Sequence, residues 1–279
     1  MLHYDVVVFG GDMRSVYITE RFINDGKSVL LLNDNDISSD MLLNISCGFF
    51  ILPVVPADKS GKIYKTQCRL SEVLGKVQAN KVILSSPGED EINLLKSRNI
   101  KYVDLLKDTY FKQLNAELTG EAAFIVLRDK IGCVPYFKNI LVIGSGECAS
   151  SIARIMSSYG ANITVAARNK EALKTFDYCS TLYIDDLKNA VRDKDVIFNT
   201  VPALMISRDL LSGISKKTVI IDIASFPGGV DFVAAEEMGI DAELYPGLPG
   251  KYFPLSAGEA VYKAINRIMG KENMYETNG

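Results

Sequence analysis

Short apolar runs alternate with stretches whose apolar positions recur every three to four residues, and the runs mostly end in Gly, Pro or Ser. That alternation predicts strands and helices in turn, which builds a parallel sheet with helices on its faces. Residues 5–9 (DVVVF) form a buried strand ending at Gly10-Gly11, followed by a helix through Val16, Ile18, Phe22 and Ile23. Asp25-Gly26 stops that helix, and Ser28 to Leu32 is the next strand. Further strands are expected at Phe49–Leu52, Val82–Leu84 and Lys101–Val103, with helices over Ser71–Val77 and Asp90–Ser97. Residues 54–65, with Pro56 and Gly61, read as a loop over the sheet's edge. A long helix, Leu118 to Arg128, leads to Gly132 and Pro135 and is expected to be the hinge between two domains.

The stretch from Lys138 to Arg168 has the sharpest pattern. Ile140–Ile143 ends in Gly144-Ser145-Gly146, a helix follows through Ile152, Ile155, Met156 and Tyr159, Gly160 stops it, and Ile163–Ala167 closes on Arg168. This is a βαβ unit with G-x-G-x-x-A at Gly144, Gly146 and Ala149, the spacing of a dinucleotide site. Gly144 permits the tight turn, Gly146 lets backbone approach a pyrophosphate, and Ala149 lets helix and strand pack closely. The helix start at Glu147-Cys148 then offers unpaired N–H groups to phosphate. Where NAD enzymes usually carry Asp or Glu, this chain reads Arg168-Asn169-Lys170, with no carboxylate before Glu171. Cations there suit a 2′-phosphate, so NADP is the expected cofactor. Beyond Arg168 the pattern continues with a helix at Lys170–Thr175, a strand at Ser180–Ile184 and a helix from Asp185. Strands follow at Asp195–Asn199, Val219–Ile223 and Ala242–Leu244, with a helix at Phe232–Met238 between the last two. They end at Thr200-Val201-Pro202, at Ala224 to Gly229, and at a turn over 246–250. A last helix, about Leu255 to Met269, is expected to cross back to the first domain.

The first βαβ lacks the fingerprint, since Gly10 and Gly11 are adjacent, and reads as a Rossmann-like substrate domain. The expected architecture is α/β, two Rossmann-like parallel-sheet domains separated by a cleft. The substrate domain spans 1–117, joined by the helix 255–270, and the dinucleotide-binding domain spans 118–254. At 279 residues each half is large enough for its own core.

A net charge of −3 without a basic block argues against a nucleic-acid partner. No apolar run reaches a membrane-spanning length and Met1-Leu2-His3-Tyr4 does not begin like a signal peptide, so no membrane partner and a cytoplasmic location are expected. Five scattered cysteines without a C-x-x-C pair give neither a disulfide framework nor a metal site. His3 is the one histidine, at the amino terminus, so the base common among hydroxy-acid dehydrogenases has no counterpart. No catalytic residue is assigned.

Together, GGDMR at 10–14, VIGSG at 142–146, AAR at 166–168, FNTVP at 198–202, IDIASFPGGVDF at 221–232 and PGLPG…P…AG at 246–258 resemble the dipicolinate synthase A-subunit family. The resemblance spans the chain in order. It implies a fold like that of the hydroxy-acid and alanine dehydrogenases, and NADP-linked oxidation of dihydrodipicolinate to dipicolinate in spore formation. It also implies a flavoprotein-like second subunit, the B-subunit of dipicolinate synthase, and leaves a homo-oligomer open. A small dicarboxylate substrate calls for cations and N–H donors. Gly11, Asp12 and Arg14 of the first turn, Phe226, Gly228 and Gly229 of the IDIASFPGG stretch, and Lys251 are the candidate substrate residues. Gly144, Ser145, Gly146, Glu147, Cys148, Ala149, Arg168, Asn169, Thr200, Val201, Pro202 and Ala224 are the candidate cofactor residues. Three positions depart from the family pattern: Glu147 and Phe226 stand where arginines are usual, and Leu255 where a lysine is usual. A reductase of the shikimate-dehydrogenase type, with Lys59, Lys62 or Lys65 as its lysine, is an alternative. So is a protein that binds nucleotide without turnover.

Overall fold

The computed structural model describes residues 1–55, 57, 58 and 60–276, with side chains described to residue 270. Pro56 and Lys59, named above, lie outside the described residues. Contacts divide the chain into two compact units, residues 1–114 with the stretch from Pro254 onward, and residues 115–253.

The first unit holds β1 (Leu2–Phe9), α1 (Met13–Asn24), β2 (Val29–Leu32), β3 (Ile45–Ile51), α2 (Leu70–Lys76), β4 (Ala79–Leu84), α3 (Glu89–Ser97) and β5 (Lys101–Asp104). Its five strands are parallel in the order β2-β1-β3-β4-β5, so the topology reverses between β1 and β3. One face is filled by Val7, Phe9, Phe50, Val82 and Leu84 together with Val73 and Leu74 of α2. Helix α4 (Thr109–Ile131) begins in this unit and runs past its boundary into the second. It is longer than the expected 118–128. Asp108 starts it by accepting the Phe111 N–H at 2.8 Å. The sequence hid this first half because apolar residues are scattered round the helix rather than gathered on one stripe.

In the second unit come β6 (Asn139–Ile143), α5 (Glu147–Ser158), β7 (Asn162–Ala167), α6 (Lys170–Leu173), β8 (Ser180–Tyr183), α7 (Leu187–Ala190), β9 (Val196–Asn199), α8 (Arg208–Leu211), β10 (Val219–Asp222), α9 (Phe232–Met238), β11 (Asp241–Leu244) and α10 (Leu248–Tyr252). Six parallel strands run β11-β10-β9-β6-β7-β8, with the switch between β6 and β9. Val142, Val165 and Phe198 face Ile152 and Met156 of α5 and Ala123 and Leu127 of α4, while Leu141, Ile197 and Ile220 face Leu210 of α8 and Ala234 of α9. Each unit is thus a doubly wound α/β sheet, covered on both faces.

The expected turn at 246–250 is instead largely α10. Gly247 takes a left-handed conformation and Pro249 sits in the first helical turn, where its missing N–H is harmless. Strand β3 starts earlier than expected because Ser46 and Gly48 alternate with buried Ile45 and Cys47, a half-buried pattern masked by its polar positions.

Helix α11 (Pro254–Glu276) packs on α1 within the first unit. Buried Ile18 and Phe22 meet a face carrying Val261, Tyr262 and Ile265. The Tyr17 and Tyr262 hydroxyls donate to Glu259 and Asp25, both at 2.7 Å. A Cβ at Gly258 would lie 2.9–3.1 Å from Tyr17 atoms, including its Cβ. Gly258→Ala is therefore expected to destabilise the protein by about 1–2 kcal/mol through overpacking, measurable by urea unfolding at unchanged m. No helix among the described residues is long and apolar enough to cross a membrane.

Candidate active site

Both units carry a glycine turn after their first strand, and the two turns differ in what they leave available. After β1, the Gly10 N–H donates to Leu32 O at 2.7 Å and the Gly11 N–H to Tyr64 O at 2.8 Å. The loop expected over the sheet's edge lies on this turn: a Cβ at Gly10 would meet Ile63 Cγ2 at 2.4 Å. Gly11, expected to serve substrate, has its donor engaged inside the fold. Asp12 caps α1 and takes the Arg14 guanidinium on both oxygens, from Nε at 2.9 and 3.1 Å and from Nη2 at 2.8 Å. Burial raises the Asp12 pKa, but the Arg14 hydrogen bonds and charge outweigh it and hold the carboxyl below its ordinary range. That makes Asp12 a poor proton acceptor. Of the Arg14 guanidinium nitrogens, only Nη1 has no hydrogen-bond acceptor among the described residues. The adjoining cavity, lined by Asp12, Arg14, Ser15, Pro53 and Val261, is about 10 Å3, the room of one water. At the carboxyl end of β4, buried Ser85 has no hydrogen-bond partner for its Oγ among the described residues.

The turn after β6 is open. Gly144, at φ +120°, closes on Ala166 O at 2.9 Å and would clash with Thr200 Oγ1 at 2.1 Å if it carried a Cβ. Among the described residues no acceptor takes the N–H of Ser145 or Gly146. Gly146 caps α5, and a Cβ there would point into open space. The first turn of α5 adds the unpaired N–H groups of Glu147, Cys148 and Ala149. Ala149 is fully buried at the helix–strand contact. Cys148 turns its thiol inward: burial raises its pKa, and a hydrogen bond with Thr119 opposes that. Its contribution to the turn is backbone alone. Glu147 is exposed and makes no ion pair among the described residues.

A cavity of about 150 Å3 opens at the carboxyl ends of β6 and β7, lined by Gly144, Ser145, Arg168, Asn169, Val201 and Met205 among others. Arg168 is exposed and forms no ion pair among the described residues. Its neighbours are engaged: Lys170 lies over the Tyr183 ring at 4.7 Å, and Lys174 holds Glu171 at 2.8 Å. Asn169 accepts the Glu171 and Ala172 N–H groups as the cap of α6. Unpaired N–H groups at a helix start beside an exposed arginine suit a phosphate-bearing dinucleotide, with the Glu147 carboxylate standing in the same first turn.

The loops after β9 and β10 are tied by a feature the sequence did not mark. Asp222, fully buried, accepts Asn199 Nδ2 at 2.9 Å, the Ala224 N–H at 3.0 Å and the Gly229 N–H at 2.6 Å. Asn199, also fully buried, exchanges bonds with Val201 backbone at 3.0 and 3.2 Å. Thr200 Oγ1 donates to Ile143 O at 2.9 Å, and Pro202 follows on the surface. The expectation that Gly228 and Gly229 offer N–H groups to substrate is corrected: Gly228 donates to Ser225 O and Gly229 to Asp222. Ala224 likewise donates inward. Phe226 is 62% exposed and Leu204, on the neighbouring loop, 64%. Lys251 lies exposed on α10, near the Glu243 carboxylate of β11. Lys62 donates to Gln67, and the Ser60 hydrogen bond, helped by the Lys62 charge, lowers the pKa of exposed Asp58. Lys65 stands at a positive-φ turn, and Lys59 is outside the described residues.

Residues 139–225 match the family model described as NADP oxidoreductase, coenzyme F420-dependent. The A-subunit of dipicolinate synthase from Bacillus subtilis is 27% identical over 95% of this chain and 96% of its own length. The crystal structure of the same polypeptide superposes with a TM-score of 0.85 at 24% identity, covering 98% of this chain and 97% of the other. The apo D-lactate dehydrogenase of Escherichia coli shares the fold at a TM-score of 0.70 and 12% identity, with 96% of each chain covered. The fold is therefore of the dehydrogenase type, two parallel-sheet α/β domains with a nicotinamide-nucleotide type of second domain.

Proposed function

We infer that this chain, a diverged relative of the dipicolinate synthase A-subunit along its whole length, is an NADP-dependent oxidoreductase that takes dihydrodipicolinate to dipicolinate. The observation that carries the cofactor reading is the contrast between the turns. The first is sealed by Leu32 and Tyr64, whereas the second leaves the Ser145 and Gly146 N–H groups and the start of α5 free beside Arg168. The pyrophosphate belongs on those N–H groups and the 2′-phosphate on Arg168. When bound, the nucleotide supplies the hydride acceptor.

The substrate reading follows from the relative and from the chemistry of the side chains. Loss of a hydride and a proton from a dihydropyridine gives an aromatic ring, and that driving force lets water or a weak base take the proton. It suits a chain whose one histidine is His3. Two carboxylates need cations or N–H donors, and Arg14, held by Asp12 in the first unit, is the candidate cation. A flavoprotein-like second polypeptide and a role in spore formation belong to the same proposal.

The test is spectrophotometric: NADP+-dependent formation of the aromatic product by purified protein, with and without the second polypeptide. Arg14→Ala is expected to lower kcat/KM tenfold or more, about 1.4 kcal/mol, with unchanged NADP(H) affinity. Nucleotide binding without turnover, persisting when the second polypeptide is added and in Phe226→Arg, would identify a binding protein instead.

A further inference from the structure

We propose that the buried Asp222 carboxylate sets which redox form of the nicotinamide nucleotide the second unit prefers, holding the oxidised, cationic ring more tightly than the neutral reduced one. The inference rests on the nicotinamide-nucleotide reading above. Asp222 ends β10, directly opposite Asn199 on β9, and both are fully buried. Its oxygens receive the Asn199 amide and the N–H groups of Ala224 and Gly229 at 2.6–3.0 Å, and every one of these donors is neutral. Among the described residues no lysine, arginine or histidine pairs with it, although the exposed carboxylates of Asp40, Glu171 and Asp209 each have a lysine. All three contacts of Asp222 are donors, the set an ionised carboxylate takes, and N–H dipoles rather than a cation face it among the described residues at the carboxyl edge of the sheet.

Position gives that charge a use. A dinucleotide in a doubly wound sheet lies across the switch point, here β6/β9. Arg168 marks the β7 side for the adenosine half, which assigns the nicotinamide half to the β9 and β10 loops. Those are the loops Asp222 ties together. The adenosine half is the same in both redox forms, whereas the ring is cationic when oxidised and neutral when reduced. A fixed charge in a poorly screened interior acts on that difference. Asp222 thus favours the form that accepts hydride, as an oxidising enzyme requires.

The test compares dissociation constants of NADP+ and NADPH by calorimetry, for the intact protein and two variants. The intact protein is expected to bind NADP+ more tightly than NADPH. Asp222→Asn removes the charge at nearly constant shape and is expected to shift the ratio about tenfold toward NADPH, or about 1.4 kcal/mol. Asn199→Ala loosens the same loops, keeps the charge, and leaves the ratio where it was. Tighter binding of NADPH by the intact protein overturns the proposal whether or not the variants fold. Equal weakening of both forms in Asp222→Asn reduces Asp222 to a loop tie and also overturns it. If neither form binds the intact protein, the nucleotide reading falls first and this one with it.

Discussion

Gly229→Ala is expected to lower stability by about 3 kcal/mol, roughly 10 °C in Tm. A Cβ there would stand 2.5 Å from each of three atoms: Ala203 O, Val201 O and Asn199 Nδ2. Two are backbone carbonyls, and the third is held by Asp222 and by Val201 O. Nothing in that set can swing aside, so the methyl must push apart the loops after β9 and β10. The control is Gly146→Ala, whose Cβ enters open space at φ −85°. It should melt within about 0.5 kcal/mol of the parent yet bind nucleotide far more weakly, since the methyl would fill the pyrophosphate's approach. Thermal scans of both proteins decide the matter. Indistinguishable melting of Gly229→Ala would mean that these loops are not held as tightly as their hydrogen bonds indicate.

The second large effect concerns cofactor choice. Arg168→Asp is expected to abolish a preference for NADP(H) over NAD(H), shifting the affinity ratio by tenfold or more. A charge-assisted hydrogen bond worth about 1.5–3 kcal/mol is lost, and a carboxylate is set against the 2′-phosphate. The surroundings make the substitution clean. Lys170 is held over Tyr183 and Glu171 by Lys174, so neither is poised to replace Arg168 or to take up a ribose hydroxyl. Calorimetry with the two nucleotides reads the result. Equal affinities in the unaltered protein would overturn the assignment.

What was legible in the chain followed from periodicity. The βαβ from Ile140 to Ala167 could be read because its apolar runs, its glycine spacing and the Gly160 stop agree with one another. Helix α9 could be placed because Asp231 caps it and Gly239 ends it in a left-handed conformation. The first half of α4 and the start of β3 escaped because neither concentrates its apolar residues on one visible face. Asp222 and Asn199 escaped for a different reason. An aspartate after an apolar run normally reads as a turn residue facing water, and only the fold shows it enclosed by two neighbouring loops. The donors assigned to Gly228 and Gly229 failed similarly: a glycine pattern shows that backbone can come close, not which acceptor it meets. At Gly144–Gly146 the N–H groups of Ser145 and Gly146 stay without an acceptor among the described residues, and a helix start lies beyond the turn.

The return of α11 to α1 has a consequence for synthesis of the chain. Strands β1 to β5 emerge early and can pair, and the second unit is continuous in sequence, so it can close as soon as residue 253 is free. The partner for Ile18 and Phe22 arrives only with residues 254–270. Until then the nascent protein carries one finished module and one lacking a wall, with an aromatic, aliphatic helix face turned to water. Emergence of residues 254–270, rather than any step within the sheet, is the event that completes the first unit, and a chain halted near residue 253 would be the species most in need of a chaperone.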